Sequence, residues 1–353
     1  MPQPPSIFAN TETPKRENAV TDMYCLYGAN PSPYSQKMRA IMRYRRLPFV
    51  WQNDGTARDV AIAAQLPPVI PVLRFPDGRM MNDSTPLAYE LERRHPGQRS
   101  IIPDDPATAF LSDLIEDFGD EWVTKMMFHY RWFYADDRKF AQLWISGDRM
   151  IGTPVADRQA FMTMFNDRQV GRMAMVGCTD ANRPIIEESY FELLDILQAH
   201  VPHMPYLFGS RASLGDFGLF GQLAILATDP TPAAEMRRRA PDVFLWVLRL
   251  DDASGAEGAW LPADTAYPEA ISALLRLAAK TYLPFLAANN DAFQNGDSEV
   301  SVTLMGRRYT QAPFRYQVKC YDGLRKKLAA LPPEARRKID PMLAQTGCLD
   351  WLQ

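Results

Sequence analysis

The feature that most constrains this chain is a change of periodicity at residue 32. Residues 23–27 (MYCLY) form a short apolar run rich in strand formers, and Gly28-Ala29-Asn30-Pro31 punctuates it as a turn. From Ser32 onward apolar residues recur at helical spacing, through Met38, Ile41 and Met42. Ser32 has the chemistry of an N-cap, and Pro33 suits the first helical position, where an N–H would have no partner anyway. The pattern predicts a hydroxyl at the point where a strand delivers the chain to a helix N-terminus.

Residues 47–51 (LPFVW) read as a second strand. Residues 71–75 (PVLRF), Asp77-Gly78 and residues 79–81 read as a hairpin. Asn82-Asp83-Ser84 then precedes a short amphipathic helix over 85–94. Strand, helix, strand, hairpin and helix in that order predict a thioredoxin-like α/β domain over residues 23–95. Residues 96–106, with Pro96, Gly97, Pro103 and Asp104, read as a linker. An all-helical domain is expected over 107–289. Its residues 110–134 carry an apolar stripe at Leu111, Leu114, Ile115, Phe118, Trp122, Met126, Tyr130 and Phe133, and Ser213 to Asp216 make a capping box. Beyond 290, Val300, Val302 and Leu304 alternate and Gly306 turns, which predicts a small hairpin followed by helices over 314–331 and 333–343. Residues 290–353 are thus expected to be a C-terminal extension packed on the body.

At 353 residues the chain is long enough for two packed units. A net charge of -3 gives no electrostatic case for nucleic acid or an anionic membrane. Cys25, Cys178, Cys320 and Cys348 lie far apart, without a CxxC pair or zinc-ligand spacing, so neither a disulfide framework nor a metal is expected and a reducing cytoplasm fits. Residues 1–22 are polar, contain four prolines and lack the apolar core of a signal peptide; they read as a disordered tail. The most apolar helical stretch, residues 219–227, is too short to span a bilayer, and no transmembrane segment is expected.

Residues 26–49 (LYGANPSPYSQKMRAIMRYRRLPF) resemble the opening of the glutathione transferase superfamily, nearest its serine-type tau class and, at Ser32-Pro33-Tyr34, its omega class. Three later passages agree in order and spacing. Val69-Ile70-Pro71-Val72 resembles the family's cis-proline segment, Asp83-Ser84 its acidic-Ser pair, and the passage from Leu207 to Asp216 the cap of its second domain. The resemblance implies glutathione as co-substrate, a small hydrophobic electrophile as second substrate, a detoxifying role and a homodimer. It also implies that Tyr34, Ile70, Pro71, Asp83 and Ser84 hold glutathione, and that the helix after the linker borders the second-substrate cleft, with Trp122, Met126, His129 and Tyr130 as candidate lining.

The chemistry that would use Ser32 follows from thiol acidity. A thiol of pKa about 8.5 is only a few per cent thiolate at neutral pH. A hydroxyl donating to the sulfur, with a helix N-terminus behind it, favours the anion by about 1.5–3 kcal/mol, or one to two pKa units. Ser32 is the candidate donor and Ser35 its alternative. Serine cannot perform thiol–disulfide exchange, so a glutaredoxin-like reductase is disfavoured. The sequence departs from the family where a basic residue usually precedes the cis-proline segment: residues 63–68 read AAQLPP, leaving Arg58 or Lys37 to supply charge. A second reading is a non-catalytic binding or scaffold protein that keeps the fold and uses its extension for a partner.

Overall fold

Hydrophobic alternation and turn chemistry place the first sheet. In the computed structural model, which describes residues 23–97 and 99–353, β1 (Tyr24–Tyr27) runs beneath α1 (Pro33–Tyr44) and pairs in parallel with β2 (Phe49–Gln52). After α2 (Ala57–Ala63), β3 (Val72–Arg74) returns antiparallel to β1, and β4 (Met80–Asn82) closes a sheet of order β2-β1-β3-β4 before α3 (Ser84–Arg94). Leu26 faces Trp51 on one side and Leu73 on the other, and Met38, Ile41 and Met42 of α1 are fully buried over the sheet. This is the expected thioredoxin-like unit, with α2 as an additional element that the periodicity does not mark. The expected tail, residues 1–22, lies outside the described residues.

The helical part begins with α4 (Pro106–Phe118), capped by Asp105, whose carboxylate accepts from Thr108 N at 3.1 Å. The single helix expected over 110–134 is instead α4, a π-helical turn (Gly119–Val123) and α5 (Thr124–Phe133). Each π-type insertion adds a residue to a turn and rotates the next stretch of helix by about 100° relative to a continuous α-helix. The chain continues through α6 (Ala135–Arg149), α7 (Val155–Val170), α8 (Arg183–His200), α9 (Leu214–Leu226), α10 (Pro230–Arg239), α11 (Pro241–Asp251), α12 (Glu269–Lys280) and α13 (Tyr282–Asn295). The central helix is α9, with twelve of its thirteen residues buried. Its start is held by a reciprocal cap: Ser213 Oγ accepts from Asp216 N at 3.3 Å, and Asp216 Oδ2 accepts from Ser213 N at 2.8 Å.

The extension consists of the hairpin β5 (Val300–Leu304) and β6 (Arg307–Gln311), then α14 (Arg315–Ala329), α15 (Pro333–Thr346) and α16 (Leu349–Leu352). It is built into the body. Tyr309 is fully buried against Trp122 and Phe285, with ring centroids 5.7 and 5.6 Å away, and Lys327 Nζ donates to Asp113 Oδ2 at 2.7 Å. Lys338 reaches Asp105 at 2.6 Å, so the extension also braces the cap of α4. The run Glu269–Asn295, spanning α12 and α13, is apolar and long enough by composition to cross a membrane, yet 67% of its most apolar window is buried inside the structure, where α13 supports β5 and α14.

The π-helical turn fits because α9 approaches it at backbone distance. A Cβ on Gly119 would lie 2.8 Å from Gly218 C and 2.9 Å from Leu219 N, neither of which is a movable side chain. Gly119→Ala is therefore expected to cost about 1–3 kcal/mol of unfolding free energy. Gly323→Ala, on α14 with nothing within 4 Å of the new methyl, is expected to be stabilising by about 0.4–1 kcal/mol. Urea melts of the two variants beside wild type measure both signs.

Candidate active site

Two adjoining cavities open where α1, the loop before β3, α3 and α5 meet. The first, of about 370 Å³, is bordered by Asp83, Ser84, Asp120, Glu121 and Lys125, and by Phe314, Tyr316 and Gln317 of the extension. The second, of about 430 Å³, is bordered by Ser32, Met127, Phe128, Arg131, Trp132 and the α6–α7 hairpin. Tyr34, Val69, Ile70, Thr124 and Phe128 form the wall common to both.

Ser32 sits in extended backbone (φ -105°, ψ 120°) as the N-cap of α1, and its Oγ accepts from Ser35 N at 3.3 Å. It is half-buried and borders the second cavity, while its own proton has no acceptor among the described residues. Ser35 is different. It is fully buried, its Oγ accepts from Ala29 N at 3.3 Å, and it borders neither cavity. The entrance to α1 is pinned by Arg131, which is buried, donates to Pro31 O at 2.8 Å and forms a two-pronged pair with Asp229 at 2.8 and 3.0 Å.

The Ile70–Pro71 peptide is cis, and Asn82 Nδ2 holds the preceding loop through Pro67 O at 2.6 Å. Ile70 lies on the common wall. At the head of α3, Asp83 occupies the N-cap position with no side-chain capping bond and with φ 76°, a region that L-residues avoid. Such backbone costs on the order of 1–3 kcal/mol and clusters at functional sites. The Asp83 carboxylate accepts instead from Tyr316 of α14 at 3.0 Å, and burial raises its pKa. Ser84 is buried, its Oγ 3.4 Å from Asp120 Oδ2.

Behind these residues lies a buried charge cluster. Lys37 of α1 is fully buried, pairs with Glu116, and reaches Asp120 at 2.7 Å. Tyr34 donates to Asp120 O at 3.0 Å. Burial lifts Asp120 to about 7 although Lys37 pulls the other way, and its Oδ1 is buried without a partner. Burial, then repulsion from Asp117 and Asp120, holds Glu121 well above the usual carboxyl range, and Gln317 Nε2 donates to it at 3.1 Å. Burial lowers Lys125 to about 8, and its ammonium donates to Gln311 Oε1 at 2.7 Å. Among the described residues no group of three or more His, Cys, Asp and Glu is arranged to hold a metal ion.

Residues 26–99 match the model of the family described as glutathione S-transferase, N-terminal domain. The first domain belongs to the glutathione S-transferase superfamily. Similar solved structures include a tau class glutathione S-transferase from mango, Mangifera indica, 18% identical over 74% of this chain and 97% of that chain at a TM-score of 0.41. Another is a Methylobacterium radiotolerans glutathione S-transferase in complex with glutathione sulfonate, 19% identical over 69% and 99% at 0.40. A third is the beta-etherase LigF from Sphingobium sp. strain SYK-6, 16% identical over 65% and 95% at 0.42. No curated protein sequence matches the chain.

Of the residues expected to serve the transferase site, Ser32, Tyr34, Ile70, Asp83 and Ser84 border the two cavities; Pro71 is buried directly behind Ile70. The expectation for the cleft helix is corrected. Trp122, Met126, His129 and Tyr130 are buried and border neither cavity: Trp122 packs on Tyr309, Tyr130 on Tyr190, and His129 Nε2 shares a hydrogen bond with Glu187 at 2.9 Å. The apolar stripe is the core face. The cavity face is the mixed one beside it, with Asp120, Thr124, Phe128 and Arg131 at helical spacing. Lys37 does not border either cavity, because its ammonium is committed to Glu116 and Asp120, whereas Arg58 borders the second. The sequence signal for this face is the run of acids at Glu116, Asp117, Asp120 and Glu121 in an otherwise apolar helix. The contribution of the extension carries no local signal.

Glu121 gives a pH test. Its folded pKa lies above the unfolded value of about 4.3, so the folded state retains a proton the unfolded chain has lost, and stability falls as pH rises through that interval. Glu121→Gln keeps an acceptor for Gln317 and removes the titration. Its Tm is expected to exceed that of wild type at pH 8 and to match it at pH 4.5. Calorimetry at the two pH values checks the sign.

Proposed function

We propose that this chain is a glutathione transferase in which Ser32 activates the glutathione thiol for attack on an aromatic or otherwise hydrophobic electrophile. The observation that carries the reading is the continuity of three groups along one wall. A free hydroxyl proton stands at the head of α1, the backbone of Ile70 lies beside it, and Ser84 lies at the head of α3 in the adjoining cavity. A tripeptide laid along Ile70 in strand-like pairing would reach Ser32 with its thiol and the α3 N-terminus with its γ-glutamyl carboxylate. The Asp83 carboxylate, which borders the first cavity, suits the neighbouring ammonium group.

In this reading Ser32 donates its proton to the sulfur as a hydrogen bond while its lone pair continues to cap α1, so one residue serves fold and chemistry together. The thiol proton passes to solvent, the sulfur forms a bond to the electrophilic carbon, and the electron pair displaced from that carbon leaves with the leaving group. Phe128, Met127 and Trp132 offer the apolar wall for such a partner. A second reading, a binding protein that retains the fold, is favoured by one observation: Tyr316 already occupies Asp83.

Ser32→Ala is expected to lower kcat/KM for conjugation of a generic aromatic electrophile by about 10- to 100-fold and to leave glutathione affinity within about twofold. Ser35→Ala tests the alternative donor and is expected to leave turnover near wild type. Steady-state kinetics with titration of glutathione binding separate these outcomes. Unchanged turnover in Ser32→Ala sinks the assignment, and failure of wild type to bind a glutathione matrix favours the binding-protein reading.

A further inference from the structure

The second cavity is apolar at its floor and cationic at its mouth. Phe128, Trp132 and Phe165 line the interior, and Arg58 of α2, Arg149 of α6, Arg168 of α7 and Arg172 just after α7 border the opening. Four guanidinium groups from three separate stretches of chain are brought to one rim. Among the described residues none of the four forms an ion pair, in contrast to Arg131 below them, which is committed to Asp229. The one carboxylate on the same lining, Asp148, accepts instead from Asn30 N at 2.9 Å, Asn30 Nδ2 at 2.6 Å and Asn53 Nδ2 at 3.3 Å. Burial, followed by the charges of Arg172, Arg58 and Arg149, lowers the pKa of Arg168.

Clustered like charge is unfavourable unless it is compensated, and guanidinium groups match the geometry of oxyanions. The helix that carries Arg168 is itself a poorly buried element: α7 has no buried residue and is held to α5 through the Trp132–Phe165 ring contact at 6.0 Å and to α6 through Arg158 Nε on Ser146 Oγ at 3.0 Å. Its presence is poorly accounted for by core packing and well accounted for by the rim it completes.

We infer that the second cavity takes an aromatic compound bearing an oxyanion, a carboxylate, sulfonate or phosphate, with the ring against Phe128, Trp132 and Phe165 and the anion on the arginine rim. This rests on the transferase reading only in naming that compound as the second substrate; the binding site itself does not depend on catalysis. The ring would lie beside Ser32 and the charge would point outward to Arg168 and Arg172, so the rim selects among electrophiles without touching the reacting atoms.

The test uses full-length protein and two fluorescent probes of similar shape, anionic 8-anilinonaphthalene-1-sulfonate and neutral N-phenyl-1-naphthylamine. The double variant Arg168→Gln/Arg172→Gln is expected to bind the sulfonate about tenfold more weakly than wild type and the neutral probe within about twofold. Raising salt from low to high concentration is expected to weaken only the sulfonate in wild type and to have little effect in the variant. Arg337→Gln, an exposed arginine of α15 outside the cavity, is the control and should match wild type with both probes. Equal weakening of both probes, or no weakening of the sulfonate, overturns the inference. If conjugation is measurable, a rise in KM for glutathione with the sulfonate affinity unchanged assigns the rim to the glycyl carboxylate and also overturns it. Absence of conjugation in wild type would refute the transferase reading while leaving the probe comparison intact.

Discussion

The contact on which the rest of this structure depends is the buried pairing of Lys37 with Glu116 and Asp120. An ammonium with no exposed surface is tolerable only when opposite charge and hydrogen bonds compensate its lost hydration. Here the compensation crosses the boundary between the two parts of the molecule, because Lys37 belongs to the helix that begins after Ser32 and the acids belong to α4 and the π-helical turn. Removal of the lysine would leave two carboxylates facing each other in the core. The pairing fixes the height of α1 against α4, and so fixes Ser32 relative to the helix that walls both cavities.

The second consequence concerns the acids themselves. Glu116, Asp120 and Glu121 outnumber the single ammonium of Lys37, and burial raises the pKa of Asp120 and Glu121, which both border the first cavity. Neutral donors from the extension serve two of the carboxyl groups on that cavity, with Gln317 on Glu121 and Tyr316 on Asp83. The extension therefore completes a wall that the two-domain body leaves open. It is anchored by the buried ring of Tyr309 and by the ion pairs of Lys327 with Asp113 and Lys338 with Asp105.

The two cavities differ in electrostatic character although they share a wall. The first is bordered by carboxylates and one depressed lysine; the second has arginines at its mouth and rings at its base. Tyr34, Ile70 and Phe128 stand between them. That polarity gives the wall a direction.

Local chemistry was legible in the sequence. Capping at Ser32 and Ser213, the strand and hairpin punctuation of the first domain, and the alternation at Val300, Val302 and Leu304 involve neighbours within a few residues, and the elements formed there. The cleft was not legible, for a physical reason visible in one helix. Trp122, Met126 and Tyr130 are the most apolar residues of that stretch, and burial in the core is the strongest demand on such residues, so the face left for a cavity is the less apolar one beside it. The π-helical turn also changes the register, and it depends on the approach of Gly218 from α9, a helix far along the chain. Ser32 at the head of its helix was determined by the sequence alone. Which of its neighbours are acids, which are arginines and which come from the C-terminal extension was decided only by tertiary structure, because charge and cavity shape are set by groups that meet in space across long stretches of chain.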